Sequence, residues 1–192
     1  MQLNTILKKS VTEAGAVVRG VGPGQFHAPS PCADWDVRAL TNHLLQVASA
    51  LHLAGRRQPV PGDLWGRDLM SEGWADRFDE EGRAAAAAWA QPGAWDGTVG
   101  MGGAEMPARV IATMLVSDLA IHGWDLARAT GQDYHCDDDV AEATWRFLAE
   151  TGEQGRRMGI YGTPVTVADH AAPFERALAL SGRDPHWVRP CA

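Results

Sequence analysis

Lysine is nearly missing from this chain. Of its 17 basic residues only Lys8 and Lys9 are lysines, and acidic residues number 24, giving a formal charge of -7. Binding to phosphate backbones needs clustered Lys and Arg, so nucleic acid is not an expected partner. Scarce Lys beside abundant Arg and Ala reads as the coding bias of a GC-rich genome, not as chemistry. Cysteine is sparse too. Cys32, Cys136 and Cys191 are an odd number at wide spacing, with no CxxC pair. That excludes a disulfide framework and a zinc ribbon, and it suits a reducing cytoplasm. Long apolar runs are lacking: residues 84–90 and 110–121 fall short of the about 20 needed to cross a bilayer, so no membrane partner is expected. No apolar run with a cleavage site follows Lys8 and Lys9, so no signal peptide is expected. There is no GxSxG, no P-loop and no GxGxxG opening a helix.

What is present is a globular composition. The chain has 192 residues, 45% hydrophobic and 21% charged, which suits one compact domain. Helical periodicity dominates. Leu3, Ile6, Leu7, Val11, Ala14, Val17 and Val18 recur at three- and four-residue steps, and Gly20 to Gly24 end that helix. A second helix begins after Asp36, a residue suited to N-capping, and carries Val37, Leu40, Leu44, Val47 and Leu51 to about Arg56. Residues 59–71 read as loop. A third helix fits 72–90, with the alanines at 84–88 as a close-packed face. Thr98, Val99 and Met101 before Gly102-Gly103 suggest a small hairpin or extended loop. The fourth helix runs between Pro107, suited to its first position, and Gly131, suited to its stop. A fifth fits 138–152, with Asp137 to Asp139 against its N-terminal dipole, and a short one fits 172–181. Helices without alternating strands predict an all-α helix bundle.

The fourth helix holds the anomaly. Its stripe of Ile111, Met114, Leu115, Asp118, Ile121, His122 and Asp125 shares one face, so a carboxylate and an imidazole sit where core residues belong. Burying them is costly unless they are paired or bound to metal. The i, i+4 spacing of Asp118 and His122 suits either a metal or a buried hydrogen bond. His43, at the edge of the second helix's stripe, could supply a third ligand and leave a divalent ion open positions. His52 follows nine residues later, about 900° of helical rotation, and faces away. His27, His135, His170 and His186 read as surface residues in or near loops. Cys32 is a nucleophile only if it faces the cleft, and a packed, inert thiol is the alternative. Asp125 could orient His122 or equally bond a neighbouring helix, while Trp35 and Trp124 could wall a pocket or simply fill core.

Two segments are similar to a known family. Pro31-Cys32-Ala33-Asp34-Trp35-Asp36-Val37-Arg38-Ala39-Leu40-Thr41-Asn42-His43-Leu44 resembles the entry to the metal-binding helix of mycothiol-dependent maleylpyruvate isomerase-like proteins. Asp118-Leu119-Ala120-Ile121-His122-Gly123-Trp124-Asp125-Leu126-Ala127-Arg128-Ala129-Thr130-Gly131 resembles their second motif. Tyr161-Gly162-Thr163-Pro164-Val165 and Leu180-Ser181-Gly182-Arg183-Asp184-Pro185 look like an actinobacterial branch of the group. The resemblance implies a DinB/YfiT-like four-helix bundle over 1–155, with a short hairpin or loop inserted before the fourth helix. Residues 156–192 are then a C-terminal extension packing on the same domain.

The resemblance further implies one divalent metal, zinc or nickel, held by His43, Asp118 and His122. The family more often has Glu where Asp118 stands. Asp125, Trp35 and Trp124 would lie around the ligands. The implied chemistry is a mycothiol S-transferase reaction: the metal lowers the pKa of a bound thiol and presents a thiolate to an electrophile. The family's full isomerases carry a second, C-terminal domain that contributes to catalysis, so maleylpyruvate isomerisation itself is not the expectation here. The partners implied are a small-molecule thiol and an electrophilic substrate, with a homodimer as the candidate assembly. A metal-dependent hydrolase and a non-enzymatic bundle that binds a ligand or partner are the alternatives.

Overall fold

The structure, a computed structural model, describes residues 2–190; Cys191 lies outside the described residues. Six α-helices and one hairpin follow in the order α1 Gln2–Arg19, α2 Val37–Gly55, α3 Trp74–Trp89, β1 Thr98–Met101, β2 Ala104–Pro107, α4 Ala108–Thr130, α5 Asp138–Arg157 and α6 Pro173–Leu180. The apolar spacing read from the sequence is the buried spacing. Val37, Leu40, Leu44, Val47 and Leu51 of α2 are fully buried, as are Ile111 and Leu115 of α4.

Around the bundle α1 packs on α3 and α4, and α2 packs on the same two helices, closing a four-helix ring. α5 lies on the outer side of α4 and α1, and α6 packs on α5. Helix α4 is therefore sheathed on several sides. That accounts for a departure from expectation. By length and composition α4 is the one helix among the described residues long and apolar enough to cross a bilayer. Its most apolar window has a mean hydropathy of 1.3, and 78% of that window is buried within the protein.

Local chemistry sets the boundaries. Asp36 caps α2, its Oδ1 accepting the Ala39 N–H at 2.8 Å. Gly131 closes α4 with φ of 76°, a conformation open to glycine. Pro107 does not begin α4; it ends β2 opposite Thr98, and the helix starts one residue later. Gly102 and Gly103, with φ of 58° and 91°, form the two-residue hairpin turn. Helix α5 runs past 152 to Arg157, capped by the Asp137 side chain at the Asp139 N–H.

Residues after α5 return across α4 and α5. Arg128 donates to the Trp187 carbonyl at 2.6 Å, and Val165 N–H donates to the Ala179 carbonyl at 3.0 Å. Gly162 and Gly182 touch backbone to backbone. A Cβ on Gly182, whose φ is 86°, would stand 2.7 Å from the Gly162 Cα. This turn delivers Arg183 into the protein interior.

Candidate metal centre

Helices α2 and α4 face each other, and their stripes bring His43, Asp118 and His122 together. The His43 and His122 rings meet edge to face with centroids 4.9 Å apart. His43 Nε2 stands 3.9 Å from Asp118 Oδ2, too far for a hydrogen bond. Asp118 accepts no hydrogen bond among the described residues. Burial raises its pKa above the ordinary carboxylate value, with the His122 charge opposing. Burial, and then the neighbouring His122, push His43 down to about 3, with a hydrogen bond to Gln46 opposing. His43 is therefore neutral at ordinary pH, the state in which imidazole ligates metals.

His122 is held from behind. Its Nδ1 lies 3.0 Å from Asp125 Oδ2, and the carboxylate is completely buried. That bond assigns the proton to Nδ1 and leaves Nε2 with the free lone pair. Arg183 Nη2 donates to the same Asp125 oxygen at 3.1 Å, and its Nη1 donates to the Ser181 carbonyl. Arg183 is buried as well; desolvation lowers its pKa, but the charges of Asp125, Cys32 and Asp118 and the Asp125 hydrogen bond together leave it raised. The chain Arg183–Asp125–His122 thus fixes the ring with a neutralised carboxylate.

Aromatic residues line the front. The Trp35 centroid is 4.6 Å from that of His43 and 5.2 Å from that of His122. Trp65 stands 5.8 Å from His43, and the carbonyls of Trp65 and Arg67 accept hydrogen bonds from Gln46. Ser30 shapes the loop before α2: its hydroxyl donates to the Trp35 carbonyl at 2.6 Å and accepts the Cys32 N–H at 3.1 Å. Tyr161 borders the site from the C-terminal segment; burial and then the Asp118 charge raise its phenol.

The placements differ in detail from the sequence expectation. Trp124 does not wall the site. It packs in a second apolar cluster with Ile121, Leu148, Ala177 and Leu178, because α5 and α6 cover that side of α4. His52 faces away, bonded to Glu81 of α3 at 2.7 Å, and His27 is exposed. Cys32 does face the site, but as a protonated thiol: burial raises its pKa to about 11, with Arg183 opposing. Its sulfur, a His122 nitrogen and an Asp125 carboxylate oxygen lie within 4.8 Å of one another. Among the described residues that is the one triad of metal-ligating side chains so close, and His43 and Asp118 fall outside it. Arg183 escaped notice in the sequence as a site residue. Its signal was its place in a Gly-flanked, Pro-terminated turn, which periodicity does not read.

The His43, Asp118 and His122 donors nevertheless fit a divalent cation chemically. Two imidazoles and a carboxylate without a hydrogen-bond donor make an N/O set suited to zinc or nickel. A cation would also supply the counter-charge that Asp118 lacks.

The mycothiol maleylpyruvate isomerase N-terminal domain model matches residues 7–127. Two uncharacterised proteins from strains of Mycobacterium tuberculosis are each 28% identical over 126 residues, covering 66% of this chain and 66% of theirs. The match thus spans just under two thirds of those relatives' length. A crystal structure of the mycothiol-dependent maleylpyruvate isomerase aligns over 80% of this chain and 71% of that one, with a TM-score of 0.57 and 15% identity. A histidine-to-alanine mutant of that isomerase aligns equally, at 14% identity. These two show a shared DinB-like helical fold. On the matched span, which takes in every proposed ligand, the chain belongs to the mycothiol maleylpyruvate isomerase N-terminal domain family.

Proposed function

We propose that this protein is a divalent-metal-dependent, mycothiol-using S-transferase of the cytoplasm, with His43, Asp118 and His122 as ligands. The observation that carries the reading is the meeting of two imidazoles and one carboxylate from the facing helices α2 and α4. Zinc or nickel bound there would lower the pKa of a coordinated thiol and favour its thiolate at neutral pH. The chain's own residues do the rest. Asp125 holds the His122 proton on Nδ1, so Nε2 keeps its lone pair. Arg183 pairs with the same Asp125 oxygen and holds the buried carboxylate in place behind the ring. Trp35 and Trp65 exclude water from the His43 side, which strengthens electrostatic effects within the site.

Membership in the family supports the thiol, and the donor set supports the metal. Elemental analysis of protein purified without a chelating tag tests the metal. One equivalent of zinc or nickel is expected, and it is lost in His122→Ala. Mycothiol and a chromogenic electrophile then test the chemistry, with metal-dependent conjugate formation expected. Stoichiometric metal without conjugation favours a ligand-binding bundle, and water-dependent cleavage of an ester or amide favours a hydrolase. Metal-free protein overturns the reading.

A further inference from the structure

The Cys32, His122 and Asp125 triad is distinct from the donor set above, although it shares His122. Asp125 Oδ2 is occupied by His122 and Arg183. Its other oxygen, Oδ1, is fully buried and has no hydrogen-bond partner. A carboxylate oxygen with both lone pairs idle in the interior is an acceptor waiting for a donor or a cation. The Cys32 sulfur stands within 4.8 Å of a carboxylate oxygen of this Asp125 and of a His122 nitrogen, on a loop held by the Ser30 turn. A cation held at about 2.3 Å from sulfur and about 2.0–2.2 Å from nitrogen and oxygen would draw the three donors closer together.

We propose that Cys32, His122 and Asp125 form a thiolate-containing position for a thiophilic divalent cation such as zinc or cadmium. Binding displaces the Cys32 proton to solvent and changes no oxidation state. The ion brings two positive charges and the thiolate removes one. A chloride or hydroxide from solvent offsets the other, since Asp125 is already balanced by Arg183. Hard cations such as magnesium are excluded by the sulfur donor. A neutral imidazole offers one lone pair, so His122 serves one of the two positions at a time. The protein therefore holds one cation in either of two places, not two at once.

Removing the competing ligands isolates the new position. The full-length His43→Gln/Asp118→Asn variant, in which both side chains keep their size, is titrated with cadmium. One equivalent is expected, with an ultraviolet thiolate-to-cadmium charge-transfer band. Adding Cys32→Ser should abolish both, and replacing Cys136 and Cys191 with Ser should leave both intact. Cadmium should also protect Cys32, but not Cys136, from alkylation as read by peptide mass mapping. Circular dichroism confirms that each variant is folded, and the alkylation arm is repeated in wild-type protein treated with chelator and then cadmium. No cadmium uptake by the folded variant, uptake without the band, or a band that survives Cys32→Ser overturns the proposal. Because this variant lacks His43 and Asp118, the result is independent of whether the proposed transferase centre is correct.

Discussion

Replacing Arg183 with Met should be among the most destabilising changes available outside the apolar core. The substitution keeps an unbranched side chain of similar length but removes the guanidinium. Asp125 then keeps one hydrogen bond, from His122 Nδ1, and its carboxylate has no accessible surface through which water could compensate. Both partners of the pair are buried, with side chains 9% and 0% exposed, so solvent screening gives little relief. Breaking one side of such a pair costs about 3–5 kcal/mol. For a domain of this size each kcal/mol moves the midpoint by about 2–4 °C, so a fall of roughly 6–20 °C is expected. Thermal and urea unfolding of the metal-free protein measure it. Removing both charges, in Arg183→Met/Asp125→Asn, should recover much of the loss, because no uncompensated charge remains. A single variant within 1 kcal/mol of wild type, or a double variant that is simply the sum of two losses, refutes the reasoning.

Acid should destabilise the metal-free protein through His43. The unfolded chain takes a proton there near pH 6.5, whereas the folded protein refuses it until about pH 3, so stability falls as pH drops through that window. The loss is on the order of 4 kcal/mol, and His43→Gln should flatten it. Asp118 acts in the opposite sense, its raised carboxyl costing stability as pH rises just above the ordinary carboxylate range. Zinc at 100 times its dissociation constant should stabilise wild type by about 2.7 kcal/mol and leave His122→Ala unmoved in thermal unfolding. Gly182→Ala forces a side chain onto the Gly162 backbone at a left-handed position; a loss of about 1–3 kcal/mol in urea unfolding is expected. The same variant should loosen Arg183, read as faster alkylation of Cys32.

Much of the bundle is legible because helix burial is periodic. Leu40, Leu44 and Leu51 are spaced as they are because one face of α2 is inaccessible to water. The same logic exposes Asp118 and His122 as polar intruders, and Asp36 and Gly131 as helix ends. It fails where the fold turns back on itself. Trp124 shares the apolar character of its neighbours, and only the packing of α5 and α6 decides which side of α4 it fills. Arg183 meets Asp125 across 58 residues of chain, a pairing that depends on a glycine-to-glycine contact and not on any local period. Cys32 is placed by the Ser30 hydroxyl in an irregular loop, where no spacing rule applies.

The late position of Arg183 has a consequence for biosynthesis. A ribosome extrudes both ligand helices, and Asp125 with them, well before it polymerises the residue that neutralises that carboxylate. Until then the nascent bundle can close only by burying a carboxylate whose one partner is His122. Its stable docking is thereby deferred until Arg183 emerges. Early termination after α5 should yield a helical but loosely packed species, prone to proteolysis at its α4 face. Quality control of the metal centre would then be built into the order of translation.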